Sequence, residues 1–454
     1  MNSSQKKEYQ KELLAIGLPV TLQSIFQASY SLVDQLMVGS LGTVSIAGSG
    51  LGAKFSSLVS VTLSAVAAVA SILIAQYHGK QDREGINRSF FSCLYISVLV
   101  LLLFALPAFC IPEIIMGFYS EDAETIRMGA VYLKLIAVSY IPMNVTLMCS
   151  AFFRSVEKSR YPLYASLLSM AVNLLGNYLL IFGKFGCPRL GLAGAAYGTL
   201  IARTLEALLL VSLMAVQQKK GEIRLRPVSL REKGIYGSIS VMIVPILLNE
   251  FLWSLGENIY AGIYGRLGTD ALAAMTLTNP LQAMFIGMFS GVSSAAAVMV
   301  GKRLGSNDNE GAYAVSKYLM KTGVLGSLVV SVLLVLLIPF YVKWFSIGPA
   351  VARLTKYIVY ALAMVLFAKI TNMILGGGIL RSGGRTRITL CVDLVGTWVF
   401  GVPLGLLAAF VFHLPIYMVY FILSLEEVIR LIISIFLFRS KVWMQNLTQG
   451  TIPS

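Results

Sequence analysis

The stretches GSLGTVSIA at 39–47 and GRLGTDALA at 265–273 lie 226 residues apart. They agree at Gly39/Gly265, Leu41/Leu267, Gly42/Gly268, Thr43/Thr269 and Ala47/Ala273. The same offset carries Pro19 onto Pro245, and Gly79, Glu84 and Gly85 onto Gly305, Glu310 and Gly311. At 227, after one residue of slip, Arg154-Ser155 fall on Arg381-Ser382, Lys158 and Arg160 on Arg385 and Arg387, and Arg203 on Arg430. Chance likeness between apolar segments does not hold glycines, prolines and charges in one register. The chain therefore reads as two homologous halves.

Composition says what the halves are made of. The 454 residues are 57% apolar and only 13% charged, against roughly 25% charged in an ordinary soluble chain. Mean hydropathy is +0.78. Such a chain has too little polar surface to cover itself, so the expected fold is an all-α integral membrane protein. Apolar runs mark twelve spans, near 13–39, 46–77, 89–111, 130–153, 161–183, 191–216, 235–265, 272–301, 315–345, 353–380, 388–412 and 415–438. Each is long enough for the roughly 20 residues a crossing needs. Pro19, Pro142, Pro245 and Pro403 fall inside spans, where each frees a backbone carbonyl and favours a kink. Pro19 and Pro245, which the repeat superimposes, are the expected hinge positions.

The net charge of +15 does not indicate a nucleic-acid partner, because the cations sit in short tracts between spans. One side of the expected topology collects 24 Lys and Arg, six of them at 219–233, and the other collects eight. The positive-inside rule then places both termini in the cytoplasm and the chain in the plasma (inner) membrane. Six spans per half give both halves the same orientation. The expected lobes are 1–218 and 219–454, joined by a basic linker at 217–234. Parallel repeats place a cleft between two bundles and suit alternating access. No phosphate-binding G-x-x-x-x-G-K-[ST] loop occurs, so the energy source is expected to be an ion gradient or the substrate's own. Five cysteines without a CxxC pair, and His78 and His413 at span ends, give no disulfide framework, metal centre or buried catalytic dyad. No cofactor and no enzymatic activity are expected, and the protein is expected to act as a monomer.

Ionisable and amide groups inside spans are the functional candidates. Gln23, Gln27, Ser31 and Asp34 recur at spacings of 4, 4 and 3, which puts them on one helical face, where the first three are expected to meet substrate. Asp34 is the expected coupling residue, binding H+ or, with neutral oxygens around it, Na+. Asn173 and Asn177, four apart in span 5, supply such oxygens, with Thr199 in span 6 as a weaker contributor. In the second half, Asn249, Glu250, Trp253 and Glu257 form the corresponding face of span 7 and are expected to meet substrate. Glu250 and Glu257 suit counter-charges for a cationic substrate, and Trp253 offers a cation–π face. Met284 and Met288, in a Met/Phe-rich stretch of span 8, are expected to line an adaptable surface. Arg203 with Glu206, and Glu426 and Glu427 with Arg430, read as intrahelical ion pairs, and Asp393 as a salt-bridge partner near the cytoplasmic edge.

With these residues in view, the chain resembles the multidrug and toxic compound extrusion (MATE) transporters over its whole length. The resemblance rests on Pro19 and Asp34, on the two L-G-T-x-x-x-A segments at 41–47 and 267–273, and on the loops HGKQDREG (78–85) and LGSNDNEG (304–311). The stretches NLLGNYLLIFG (173–183) and RLGLAGAAYGT (189–199) extend it. The resemblance implies a V-shaped pair of six-helix bundles that exports organic cations and drugs against inward H+ or Na+. It implies that Pro19, Asp34, Asn173 and Asn177 work together in the N-terminal lobe. The acid that one branch carries in span 10 is missing here, so Glu250 and Glu257 are assigned to substrate rather than to a second ion. The rival reading is a flippase for a lipid-linked saccharide precursor.

Overall fold

The computed structural model describes residues 3–39, 41, 43–221, 223, 225–226, 233–343 and 348–449; side chains at 3, 28, 30–32, 35–36, 39, 43–46 and 233–238 lie outside that description. The Ser31 side chain and most of the 217–234 linker are therefore outside the described residues. Every regular element described is helical. The elements are α1 (Ser3–Gly39), α2 (Thr43–Gly79), α3 (Arg83–Cys110), the short α4 (Pro112–Gly117), α5 (Ala123–Val138), α6 (Tyr140–Ser155), α7 (Arg160–Phe182) and α8 (Leu192–Lys219). They continue with α9 (Lys233–Arg266), α10 (Thr269–Gly305), α11 (Asn309–Lys343), α12 (Pro349–Asn372), α13 (Thr386–Leu394), α14 (Val402–Leu406) and α15 (Ile416–Arg439).

Among the described residues, nine helices are long and apolar enough to cross a membrane, and the pair α5–α6, bent by 45°, makes a tenth. With α1 and α15 these are the twelve crossings expected from the apolar runs. The bend has a local cause. Pro142 in the first turn of α6 has no N–H to offer the Val138 carbonyl, and its ring crowds that oxygen. The helix stops at Val138 and restarts at Tyr140, with Ser139 between them donating its hydroxyl to Ile136 O at 2.7 Å. The tenth and eleventh crossings contain wide π-helical turns at Met373–Leu380 and at Val395–Gly401 and Leu407–Val411. Gly378, in the first of these, has no room for a side chain: a Cβ there would lie 2.7 Å from Ser293 O of α10.

The repeat is visible in atomic detail at the loops that follow α2 and α10. Gln81 and Asn307 both take left-handed backbone, each with φ 61°. Asp82 Oδ1 accepts from Gly85 N at 2.9 Å and Asp308 Oδ1 from Gly311 N at 2.8 Å. Each aspartate caps the next helix by occupying an N–H that has no partner in the first turn. A Cβ on Gly311 would collide with Asp308 Oδ2, so the glycine is what admits the cap.

The chain divides into two compact units, Leu22–Ile239 and Met1–Thr21 with Ser240–Ser454. This division differs from the expected lobes 1–218 and 219–454, because the first half of α1 packs with α10. A Cβ on Gly291 would collide with Gly17 O, Thr21 Oγ1 donates to Met288 O at 2.9 Å, and Glu12 pairs with Arg303 at 2.8 Å. Two facing glycines bring the backbones close enough for that contact. In the 22–239 unit the core is built from α2, α3, α5, α6 and α8, around Leu63, Leu133, Tyr140 and Ala196. In the other unit a larger core runs through Ile16, Ile263, Phe289, Leu362 and Ile374.

Removing the cap in Asp308→Ala is expected to cost about 1 kcal/mol. It should lower the thermal unfolding midpoint in detergent, and Asp308→Asn should recover most of the loss.

Candidate functional site

In the 22–239 unit, Asp34 of α1 is the end of a hydrogen-bonded chain. Its Oδ1 accepts from Asn177 Nδ2 at 2.5 Å; the same amide donates to Asn173 Oδ1 at 2.8 Å; and Asn173 Nδ2 donates to Thr199 Oγ1 at 3.1 Å. All four residues expected to carry coupling are thus joined. Asn173 and Asn177 are buried at 4% and 0% exposure. Their i, i+4 spacing stacks them on one face of α7.

Glycines hold this arrangement in place. Gly176 of α7 approaches Gly198 of α8, and a Cβ on Gly198 would collide with Asn177 Oδ1. Small residues at a helix crossing let backbones approach, and here the space at Gly198 is filled by the Asn177 amide. That Oδ1 is buried with no hydrogen-bond partner among the described residues. A buried acceptor left without a donor costs about 1–3 kcal/mol. Beside a carboxylate, it is a position where a proton-bearing group or a small hard cation gains an oxygen. A single carboxylate with amide and hydroxyl oxygens suits H+ or Na+ rather than a transition metal. No cluster of three or more His, Cys, Asp or Glu placed to hold a metal ion occurs among the described residues.

Asp34 opens onto a cavity of about 470 Å³. Gln23 and Gln27 line it as the helical spacing predicts, together with Phe26, Tyr132 and Met170. Two charged residues whose i, i+3 spacing suggests a mutual pair also line it. Arg203 donates to Ser139 Oγ at 2.9 Å, and Glu206 lies beside Ser169 of α7. Each therefore turns to a neighbouring helix instead of closing an intrahelical pair. Ser139 is placed to receive Arg203 because it sits in the break between α5 and α6. Among the described residues the wall thus carries two carboxylates and one guanidinium.

The second polar cluster lies in the other unit. Glu426 of α15 accepts from Tyr260 OH and from Arg430 Nη2, both at 2.5 Å. Arg430 also reaches Asp393 at 3.3 Å and Thr397 Oγ1 at 3.2 Å, and Asn249 Nδ2 donates to Asp393 Oδ2 at 2.8 Å. The expected Glu426–Arg430 pair and the Asp393 salt bridge are present, whereas Glu427 instead accepts from Asn372 at 2.8 Å. Glu257, Lys369, Glu426 and Glu427 share a cavity of about 160 Å³ with Tyr264 and Tyr420.

The other expected substrate contacts are scattered. Glu250 pairs with Arg381 at 3.6 Å. It lies two turns before Glu257 on α9, roughly 10 Å along the axis, and so beyond that residue's cavity. Trp253 is 48% exposed, Met284 is exposed, and Met288 packs against the core. None of these four is among the described residues that line either cavity, although Met275, earlier on the same helix as Met284 and Met288, lines that of Glu257. Pro19 and Pro245 sit inside α1 and α9 at matching points.

Tyr260 does not stand out as a functional position in its own span, and Glu426 reads there only as an ion-pair partner, yet the repeat holds the signal for both. Tyr260 is the 226-offset counterpart of Asp34, and Glu426 the 227-offset counterpart of Thr199. The acid has moved from the first helix of the half to the last.

The MatE family model matches this chain at residues 19–179 and 245–407, beginning in each half at the repeated proline. A Thermotoga maritima protein described as a probable multidrug resistance protein NorM is 22% identical over 439 residues, 96% of this chain and 93% of that one. A protein of the same description from Agrobacterium fabrum is 24% identical over 410 residues, 88% of this chain and 87% of its own. Two solved structures, of MATE in its straight and bent conformations, align with TM-scores of 0.87 and 0.88 at 18% and 16% identity. They cover 95% and 98% of this chain and 96% and 97% of theirs.

Two substitutions probe the two clusters. Gly198→Ala is expected to displace Asn177 and cost about 1–3 kcal/mol by overpacking, whereas Gly50→Ala, mid-helix with nothing within 4 Å, should leave the midpoint unchanged or raise it slightly in the same thermal unfolding assay. Arg430→Met leaves Glu426 and Asp393 without their guanidinium and is expected to cost about 3–5 kcal/mol, read as a large fall in midpoint and in folded yield.

Proposed function

The chain belongs to the MatE family of multi-pass membrane transporters, and from that premise we propose that it is a cation-coupled antiporter. In this reading it exports organic cations and drugs across the plasma membrane by alternating access, with both termini in the cytoplasm. The observation that carries the reading is the chain Asp34–Asn177–Asn173–Thr199 on the wall of a cavity large enough for a small organic molecule.

The chemistry follows from charge. With Asp34 and Glu206 ionised, the cavity wall carries two negative charges and the positive charge of Arg203. That balance attracts a cation, and Phe26 and Tyr132 add aromatic faces that favour one. Binding H+ or Na+ at Asp34 cancels one negative charge. Substrate and coupling ion then compete for the same charge without having to touch the same atoms. Asn177 orients the carboxylate in either state: its Nδ2 donates to Asp34, and its unfilled Oδ1 is available to a cation beside it. Competition of this kind requires that one leave before the other binds, which is the logic of exchange. The multidrug resistance description of the relatives supports the substrate class.

The rival flippase reading needs an excess of positive charge to hold a pyrophosphate. Arg203 shares its cavity with Asp34 and Glu206, and Lys369 shares its own with Glu257, Glu426 and Glu427. Both cavities favour a cation over a pyrophosphate.

The test uses purified protein in liposomes loaded with a fluorescent organic cation. An H+ gradient and then a Na+ gradient are imposed with the membrane potential clamped. Dye movement is expected under one of the two, and Asp34→Asn is expected to reduce it to the protein-free background while folding normally. Wild-type movement in Asp34→Asn would remove Asp34 from the coupling step.

A further inference from the structure

A cavity of about 1250 Å³ in the unit that contains 240–454 belongs to neither polar cluster. It lies where the first turns of α1, the start of α11 and the segment after α15 meet. Lys6, Lys317, Lys321 and Lys441 all line it, and Glu310 is the one acid among the described lining residues. None of these four lysines has a carboxylate partner among the described residues.

Two of the lysines converge on one fixed ring. Lys317 Nζ lies 4.4 Å and Lys441 Nζ 5.0 Å from the centroid of Tyr313. Tyr313 stacks on Phe438 at 4.8 Å, and Phe438 stacks on the buried Trp443 at 5.7 Å. Trp443 is anchored in turn by its Nε1, which donates to Phe438 O at 3.1 Å. Lys441 takes left-handed backbone at φ 58° to reach this position. Two ammonium groups beside one ring, with Lys321 one turn on, make a local positive potential that an anion would offset.

The face of α11 that carries the lysines continues as hydrocarbon. Lys317, Lys321, Leu325, Leu328, Val332 and Leu336 follow at spacings of 4, 4, 3, 4 and 4, which keeps them on one side of the helix. The last four are exposed, from 48% at Leu328 to 61% at Leu336. From Leu325 to Leu336 the helix rises roughly 16 Å, at about 1.5 Å per residue. That is about half of a hydrocarbon core roughly 30 Å thick, the depth of one leaflet. A basic pocket above a one-leaflet apolar track has the shape and polarity of a lipid with an anionic headgroup.

We propose that this groove binds an anionic phospholipid. Its phosphate sits among Lys317, Lys321 and Lys441, with Lys6 at the mouth, and one acyl chain lies along Leu325, Leu328, Val332 and Leu336. A zwitterionic lipid brings its own cation and leaves the lysines uncompensated. A free phosphate leaves the hydrocarbon track unused.

The test is native mass spectrometry of the full-length protein in neutral detergent, titrated with dioleoylphosphatidylglycerol or dioleoylphosphatidylcholine. The first phosphatidylglycerol is expected to bind well before phosphatidylcholine. The triple variant Lys317→Gln/Lys321→Gln/Lys441→Gln is expected to weaken it by roughly 100-fold, from the contribution each basic residue makes near an anionic lipid. A control with the same loss of charge, Lys184→Gln/Lys343→Gln/Lys356→Gln, should bind as wild type. Leu328→Asn/Val332→Asn should also weaken binding, and millimolar inorganic phosphate should not displace the lipid. Equal binding of the two lipids, wild-type affinity in the lysine variant, or displacement by inorganic phosphate would each overturn the proposal. Unfolding midpoints in the same detergent confirm that each variant is folded, and Lys441→Gln alone carries the test if the triple variant is not.

Discussion

A carboxylate inside an apolar helix has to find hydrogen-bond donors or an ion, because hydrocarbon supplies neither. Asp34 finds the Asn177 amide at 2.5 Å, and the surrounding structure of the 22–239 unit follows from that demand. Asn177 reaches the carboxylate only because Asn173 lies one turn away to share its amide and because Gly198 leaves room for its oxygen. Gly198 in turn sets how closely α7 and α8 approach. The break at Ser139 serves the same cavity from the other side, since it presents a hydroxyl to Arg203. The carboxylate, two amides and the glycines of a helix crossing thus form one arrangement, and the Pro142 bend adds the Arg203 contact on the far wall of the cavity.

The two halves began with one pattern and solved the problem of buried charge differently. Arg203 and Arg430 hold matching positions, but the acid and the hydroxyl have traded helices, as Asp34 and Thr199 in one half and Tyr260 and Glu426 in the other. In the second half the charges satisfy one another: Arg430 engages Glu426 and Asp393, and Tyr260 and Asn249 cap the remaining oxygens. Breaking such a network is costly, which suits a structural role. In the first half Asp34 is held by a neutral amide, and its charge remains available to a mobile ion. That contrast, more than the presence of acids in both halves, is why the proposed coupling step is placed in the first half.

Much of this is legible in the sequence because each signal is local. Apolar runs give helices directly, and the 226-residue repeat gives the paired halves and the matched Asp82 and Asp308 caps. The stripe at Gln23, Gln27 and Asp34 and the pair Asn173 and Asn177 stand out because polar groups at helical spacing in an apolar helix must turn away from lipid toward a polar or wet surrounding. What stays hidden depends on which neighbour a side chain meets. Nothing along the chain says that Arg203 reaches Ser139 rather than Glu206, or that Glu250 meets Arg381, 131 positions later in the numbering. The first half of α1 packing against α10 is equally unreadable, since Gly17 and Gly291 look like any other helical glycines until they face each other.

In the proposed function, substrate and coupling ion exchange at the charge of Asp34. The most direct measurement is the number of ions released when an organic cation binds the purified protein, followed as proton release in weakly buffered detergent solution and as Na+ release by an ion-selective electrode. Release of H+ or Na+ is expected with substrate binding in the wild-type protein and none in Asp34→Asn. Substrate binding without ion release, or unchanged release from Asp34→Asn, would contradict it.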